Sequence, residues 1–308
     1  MCYSAMVRQE HTKFVREFGA QVSIEDYVRL FWDRTQGGSA SRIPKAMEAA
    51  FAVPHSAEER EIADLIAVHH AQHAAGVETE LFKQKKRLAN AQRTLQSRTT
   101  KKALDDVRIA TSKIEKGLAT LADLRRTQLE PRDSRIYPGS YAPVMVREDG
   151  RRVVKPMRYQ CRVCGVPADF DRKYPGTYNA RRDSLAKYWR RQFGVTHGVV
   201  LASAFYEHVQ RDGRDVVLEF KPDTQQDMLV ACLWSRWTGD EGEQLLSFAA
   251  ITDDPPPEVA AAGHDRCIIP IRRDDIDTWL NPDPANLVAQ YAVLDRRERP
   301  YFEHRMAA

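Results

Sequence analysis

From Ser56 to Gln128 the chain carries no proline and little β-branched alternation, and a stretch of that length and composition folds into helix or nothing. Its second half repeats Leu104, Val107, Thr111, Ile114, Leu118 and Leu121 at alternating three- and four-residue steps, the spacing of a coiled-coil seam. Its first half offers a partner, since Leu81, Leu88 and Leu95 recur every seven residues with Val77 and Ala91 near the complementary positions. The two halves predict an antiparallel helical hairpin over residues 56–129, turning near Ser97 to Thr100 and inserted into a domain made of residues 1–55 and 130–308. From Leu81 to Lys102 this arm has eight basic residues, among them Lys83, Lys85, Lys86 and Arg87, and no acidic one. Such a run is either a contact for phosphate backbones or a solvated helix face.

Outside the arm the texture changes. Segments around Tyr141 to Val146, Arg158 to Val163, Gly198 to His208, Val216 to Phe220, Met228 to Trp234 and Leu245 to Thr252 are short, apolar or aromatic, and separated by turn residues, which predicts strands. Short helices are expected over Ser23 to Trp32, Ser184 to Phe193 and Asp274 to Leu280. The fold class is therefore α+β: a strand-rich sheet curled toward a barrel, with flanking helices and the coiled-coil arm. With 308 residues, 43% of them hydrophobic, the chain can bury a core. No stretch approaches the roughly 20 apolar residues of a membrane span, and no secretory leader is evident. Five cysteines, an odd set, fit free thiols in a reducing compartment, so an intracellular, cytoplasmic protein is expected. The net charge of +4 permits a nucleic-acid partner without demanding one.

Cys2 follows the initiator Met1, and removal of Met1 would put an α-amine and a thiol on one residue. A 1,2-aminothiol condenses with an aldehyde to an imine and then closes to a thiazolidine. With reference pKa values of about 8 for the amine and about 8.5 for the thiol, both are partly nucleophilic near neutral pH. Four other places carry chemistry. Asn179-Ala180-Arg181 supplies an amide and a guanidinium, suited to a sugar oxygen or a phosphate or to a surface turn. Glu207, between aromatics in an apolar strand, is either a proton-transfer group or an edge residue. His264 and Arg266 lie in a polar loop, where the imidazole serves as an acid–base group or a turn residue. Cys161-x-x-Cys164 is half of a zinc site without a second half, so no metal is expected.

In this order the pieces resemble the SRAP family, the SOS response-associated peptidases and abasic-site shielding proteins. The family pattern begins Met-Cys-Gly-Arg, continues to Asn-Ala-Arg-x-Glu-Thr, then Gly-Phe/Tyr-Tyr-Glu-Trp, and later His-x-Arg-Met-Pro. Here the matching text is Met1-Cys2-Tyr3-Ser4, Asn179-Ala180-Arg181-Arg182-Asp183-Ser184, Ala204-Phe205-Tyr206-Glu207-His208 and His264-Asp265-Arg266-Cys267-Ile268. Ala231-Cys-Leu-Trp234 and Ser247-Phe-Ala-Ala-Ile-Thr252 extend the likeness, while Tyr3-Ser4 replaces Gly-Arg and removes one basic contact beside the nucleophile.

The resemblance implies covalent capture of abasic sites in single-stranded DNA by Cys2 after self-removal of Met1, with lyase activity open to the same imine. It assigns proton transfer to Glu207 and His264, a hydrogen bond near the new ring to Asn179, and flanking phosphates to Arg181 and Arg266. No cofactor is needed. Two rival readings are a thiol peptidase built on Cys2, His264 and Glu207, and a noncatalytic DNA-binding scaffold that works through the basic arm. The arm's own contact is expected to be DNA, another protein or a second copy of the chain.

Overall fold

In a computed structural model, the described residues are 3–37, 42–211 and 213–307. Met1 and Cys2 lie outside them. Twelve strands among the described residues form one sheet: β1 (Ser4–Val7), β2 (Gln21–Val22), β3 (Arg135–Ile136), β4 (Tyr141–Glu148), β5 (Arg151–Tyr159), β6 (Asn179–Arg181), β7 (His197–Arg211), β8 (Arg214–Pro222), β9 (Met228–Thr238), β10 (Gln244–Asp253), β11 (Cys267–Ile268) and β12 (Phe302–Met306). The helices are α1 (His11–Phe18), α2 (Ile24–Thr35), α3 (Lys45–Ala49), α4 (Ala57–Ser97), α5 (Lys101–Arg125), α6 (Phe170–Lys173), α7 (Pro257–Ala261), α8 (Ile276–Leu280) and α9 (Leu287–Asp295).

The sheet closes on itself. β10 pairs with β5, β5 with β4, β4 with β7, β7 with β9, and β9 returns to β10, so five strands ring a core while the others extend from β5, β7 and β10. The seam between β4 and β7 is a single paired position, Met145 with Val199. Gly198 permits it: a Cβ there would stand 2.8 Å from Val144 Cγ1 and 3.0 Å from Cys232 Sγ. The α+β barrel expected from the sequence is the observed architecture.

Two apolar layers hold it. Ala142, Val144, Met157, Phe205, Val209, Phe248 and their neighbours fill the ring, and Val199, Leu201, Ala231, Leu233 and Ile251 face outward under Trp279, Leu280, Val293 and Leu294 of α8 and α9. Burying an aliphatic or aromatic side chain of this kind contributes about 1.5–3 kcal/mol, so a one-residue slip that exchanged the two layers would be costly and the register is held.

The arm is a helical hairpin rooted where Ile62 packs against Tyr27, Phe31 and Phe51. Ser56 Oγ accepts the Glu59 amide at 3.2 Å and Thr100 Oγ1 accepts the Ala103 amide at 3.2 Å, so each helix starts at a side-chain cap and the turn falls between Ser97 and Lys101. One row of the seam expected on α5 shifts by one residue, from Leu104, Thr111 and Leu118 to Ala103, Ala110 and Gly117, while the row of Val107, Ile114 and Leu121 stays partly or fully buried. Ala103, Ala110 and Leu121 are buried, whereas Leu104 and Leu118 are about half exposed. Small residues at seven-residue spacing win because they let the helix axes approach: a Cβ on Gly117 would stand 2.7 Å from Leu81 Cδ2.

Two other expectations are corrected. The strand expected over Arg158 to Val163 ends at Tyr159, because Gln160 takes a φ of 112°, which turns the chain out of the sheet. Ser184 to Phe193 is not an α-helix. A short 3-10 turn over Arg182–Ser184 is followed by irregular turns, although Leu185, Trp189 and Phe193 are buried at the four-residue spacing that imitates one. Among the described residues no helix is long and apolar enough to cross a membrane.

Candidate active site

The site is built on a change of phase in β7. Val200 and Ala202 point into the ring, but so do Phe205 and Val209, at odd positions. Between them Met6 of β1 pairs with Ala204 and Val7 with Ala202, so Ser203 is an extra residue, a β-bulge that shifts the alternation by one. The shift carries Glu207 to the inner side with Phe205 and Val209, fully buried, and sends Tyr206 to the other.

His264 meets Glu207 there, Nε2 to Oε2 at 3.1 Å. It reaches that place because α7 ends at Ala261 and Gly263, at φ +100°, turns the backbone over Val209, where a Cβ would stand 3.7 Å from Val209 Cβ. The other ring nitrogen, Nδ1, lies 3.0 Å from the Arg266 carbonyl oxygen and 3.3 Å from the Arg266 amide nitrogen. Those contacts accept more than one proton arrangement. With Nε2–H donated to a Glu207 carboxylate, Nδ1 accepts the Arg266 N–H. With the proton on Nδ1 donated to the Arg266 carbonyl, Nε2 accepts from a protonated Glu207. In the second arrangement the Glu207 proton can pass to Nε2, leaving a carboxylate and an imidazolium that still donates from Nδ1 to the Arg266 carbonyl, without rotation of either side chain. Burial lowers the His264 pKa, only partly opposed by the Arg266 carbonyl, so the ring is neutral at neutral pH and available as a base.

Asn179 is buried on β6 beside Ala250 of β10, and its Oδ1 accepts the Tyr159 hydroxyl at 3.4 Å. Tyr159 and Tyr178 belong to the same interior cluster as Phe205 and Val209. Arg181 is directed outward, 3.3 Å from Asp183 and 4.0 Å from Asp254, so a phosphate there would compete with two exposed carboxylates. Arg266 pairs with Asp265 at 3.4 Å while its backbone serves His264. On the arm Lys83, Lys85 and Lys86 are exposed, and Arg87 donates to Asp106 at 2.9 Å.

The residues missed in the sequence lie on the other side of β7. Ser4, the first residue of β1, pairs with Tyr206, the neighbour of Glu207. Arg135 of β3 donates to Ser4 Oγ from Nε at 3.1 Å and from Nη2 at 2.9 Å, and its guanidinium stands 3.7 Å over the Tyr206 ring. Tyr206 in turn donates its hydroxyl to Glu219 at 2.7 Å, and Arg305 of β12 holds the other Glu219 oxygen at 2.5 Å. Burial pushes Glu219 up, but the Tyr206 hydroxyl and Arg305 outweigh it and leave the carboxyl below its ordinary range. A cation is therefore present beside position 4 although the sequence has Ser4 there. No local motif marks Arg135; antiparallel pairing of β1 with β3 delivers it.

Thiol chemistry is narrowed by burial. Burial pushes the Cys161 thiol up to about 12 and raises Cys232 and Cys267 as well, so all three stay protonated at neutral pH. Cys161 is buried and Cys164 exposed, so the two do not face one ligand. Among the described residues no group of three His, Cys, Asp or Glu side chains is placed to hold a metal ion.

Fold and site together define a barrel-centred α+β protein whose N-terminal strand runs beside a buried carboxyl–imidazole pair. The chain belongs to the SRAP family, SOS response associated peptidase, whose model matches residues 93–305. The matched stretch holds Asn179, Arg181, Glu207, His264 and Arg266; Cys2 precedes it. Among solved structures, the chain is similar to a protein from Bordetella bronchiseptica at 18% identity, over 57% of this chain and 87% of that one, with a TM-score of 0.48. It is also similar to a protein from Bacteroides thetaiotaomicron, at 14% identity over 56% and 77%, TM-score 0.48. A phage-related protein from Bordetella bronchiseptica is similar at 19% identity over 56% and 80%, TM-score 0.43. A search of curated proteins finds no match.

Proposed function

We propose that this SRAP protein captures abasic sites in single-stranded DNA through a mature N-terminal Cys2. The observation that carries the reading is the pairing of Ser4 with Tyr206, which runs the strand following Cys2 beside the strand that bears Glu207, itself 3.1 Å from His264. An abasic deoxyribose equilibrates with an open-chain aldehyde. The Cys2 amine adds to that carbon, and the carbonyl oxygen leaves as water once it has been protonated, giving an imine. The Cys2 sulfur then bonds to the imine carbon, its proton passes to nitrogen, and a thiazolidine results. Both steps need a group that gives and retrieves protons without exposing the imine to bulk water, which a buried Glu207–His264 pair can do. Asn179 would hydrogen-bond beside the new ring, and Arg181 and Arg266 would meet flanking phosphates. An imine at C1′ also acidifies the C2′ protons, so β-elimination of the 3′ phosphate is the competing outcome and the source of a lyase activity. An unpaired strand suits this chemistry because it bends to a recessed group without melting a duplex.

The peptidase in the family's description uses the same residues on a different carbonyl. One comparison separates the two. The intact mass after exposure to an abasic single-stranded oligonucleotide is expected to show loss of one methionine and gain of the oligonucleotide less one water. A retained Met1 in active protein, or Cys2-dependent peptide cleavage with no DNA adduct, would replace this reading.

Arg135 has a testable part in it. Its guanidinium is held at Ser4, two positions after Cys2 in the sequence, and would attract a DNA phosphate brought to that end of β1. A hydrogen bond to a charged group contributes about 1.5–3 kcal/mol, so Arg135→Gln is expected to slow adduct formation roughly 10- to 100-fold in single-turnover assays, with Arg135→Lys partly restoring it. An unchanged rate in Arg135→Gln would remove this residue from the site.

A further inference from the structure

Between α4 and α5, near the tip of the arm, lies a cleft of about 550 Å3 whose walls are cationic. Ala91 and Ala103 in the seam leave the hollow, and Lys83, Lys86, Arg98 and Lys102 rise around it. The one carboxylate in the lining, Asp106, is already taken by Arg87, Nε to Oδ1 at 2.9 Å. Among the described residues none of the four other cations makes a salt bridge, and the one carboxylate that attracts Lys83 from outside the lining, Glu80, is bonded to Gln84 and Lys113. The polar side chains of Asn90 and Thr94 lie on the same wall, and α5 starts there with no acidic residue in its first turn. Four charges held around one concavity, with the nearby carboxylate occupied, are more than solvation of a helix face requires.

We propose that this cleft binds the phosphate backbone of a nucleic acid, as a second contact surface separate from the Glu207–His264 site. Its shape favours a strand over other polyanions. From Lys83 to Arg98 the helix rises about 22 Å at roughly 1.5 Å per residue, enough to run past about six phosphates of one strand at about 3.4 Å each. A lipid surface would meet a convex or flat basic face, not a recess between two helices. The cleft is also remote: Lys83 lies 21 residues beyond Ile62 at the arm's root, about 32 Å along the helix. A nucleic acid held there can be undamaged, since backbone contacts carry no sequence or lesion information.

The experiment uses the full chain and undamaged 30-mers, single-stranded and duplex in separate arms, which contain no aldehyde and so are blind to the capture chemistry. The fourfold variant Lys83→Gln, Lys86→Gln, Arg98→Gln, Lys102→Gln is compared with a control that removes the same charge elsewhere on α5: Arg108→Gln, Lys113→Gln, Lys116→Gln, Arg125→Gln. All eight residues are exposed, Arg98 just past the end of α4 and the others on the two helices, and circular dichroism verifies folding. The cleft variant is expected to bind at least about tenfold more weakly, and the slope of log affinity against log salt to fall by about 3, whereas the control retains most of both. Equal losses in the two variants would reduce the effect to net charge and overturn the site. No loss in the cleft variant would overturn it too, as would tight cleft-dependent binding to vesicles of anionic lipid with DNA binding unaffected. The arm that shows the larger cleft-dependent loss identifies single strand or duplex as the ligand.

Discussion

In Cys2→Ala, the adduct with abasic DNA that survives denaturation is expected to fall at least about 100-fold, while an imine that borohydride can trap persists. With Met1 removed, as the intact mass of the variant verifies, the substitution keeps the α-amine and removes only the sulfur, so it separates the two nucleophiles on one residue. With no thiolate to close the ring, the imine lives longer and β-elimination gains, so strand cleavage should rise as the stable adduct disappears. The other thiols are poor substitutes, because burial keeps Cys161, Cys232 and Cys267 protonated. A stable adduct persisting at wild-type yield in Cys2→Ala would place the nucleophile elsewhere, and loss of the borohydride-trapped species as well would show that the amine does not react first. The same variant also separates the rival enzyme: a thiol peptidase would lose peptide cleavage outright and gain nothing on DNA.

The barrel and the Glu207–His264 pair were legible in the sequence to different depths. Strand existence was easy where short apolar runs are bounded by turn residues, as in β9 and β10, whose residues are buried on both faces between the ring interior and the outer helices. Strand β5 was misplaced because its ending is set by a backbone torsion at Gln160, which hydrophobicity does not encode. The hairpin was predicted with its turn, since caps and heptads are local signals, but one row of the α5 seam was assigned to Leu104, Thr111 and Leu118 when close approach at Gly117 selects small residues. Glu207 and His264 stood out by residue type. Their meeting did not, because it depends on a bulge at Ser203 and a positive φ at Gly263, both consequences of pairing between distant segments. Arg135 was invisible for the same reason: the strand pairing that gives Ser4 a guanidinium spans more than 130 positions of sequence.

The outer layer of the barrel supplies the largest expected change in stability. His197, the first residue of β7, is buried between Phe193 and Trp279, stacked 4.0 Å from the indole centroid. The Gly194 amide donates to its Nε2 at 2.8 Å, which requires that nitrogen to be unprotonated, and Nδ1–H donates to the Trp279 carbonyl at 3.0 Å. The native state therefore selects one neutral tautomer. Burial lowers the His197 pKa to about 3, only partly opposed by the Trp279 carbonyl. In the unfolded chain the same ring titrates near 6.5, so between pH 6.5 and 3 the unfolded state binds a proton that the folded state refuses. Stability then rises with pH across that window: the contribution is intact above about 6.5 and is lost progressively as pH falls toward about 3. At about 1.4 kcal/mol per unit of pKa difference the loss amounts to several kcal/mol, a large share of the 5–15 kcal/mol of an ordinary domain. Denaturant titrations from pH 7 to pH 3.5 are expected to show this slope in the wild type and a shallower one in His197→Gln. That variant is less stable at pH 7, because it leaves the stack with Trp279 incomplete, yet loses less on acidification. Parallel pH profiles for the two proteins would mean that other buried groups, among them His11 and His264, account for the acid sensitivity.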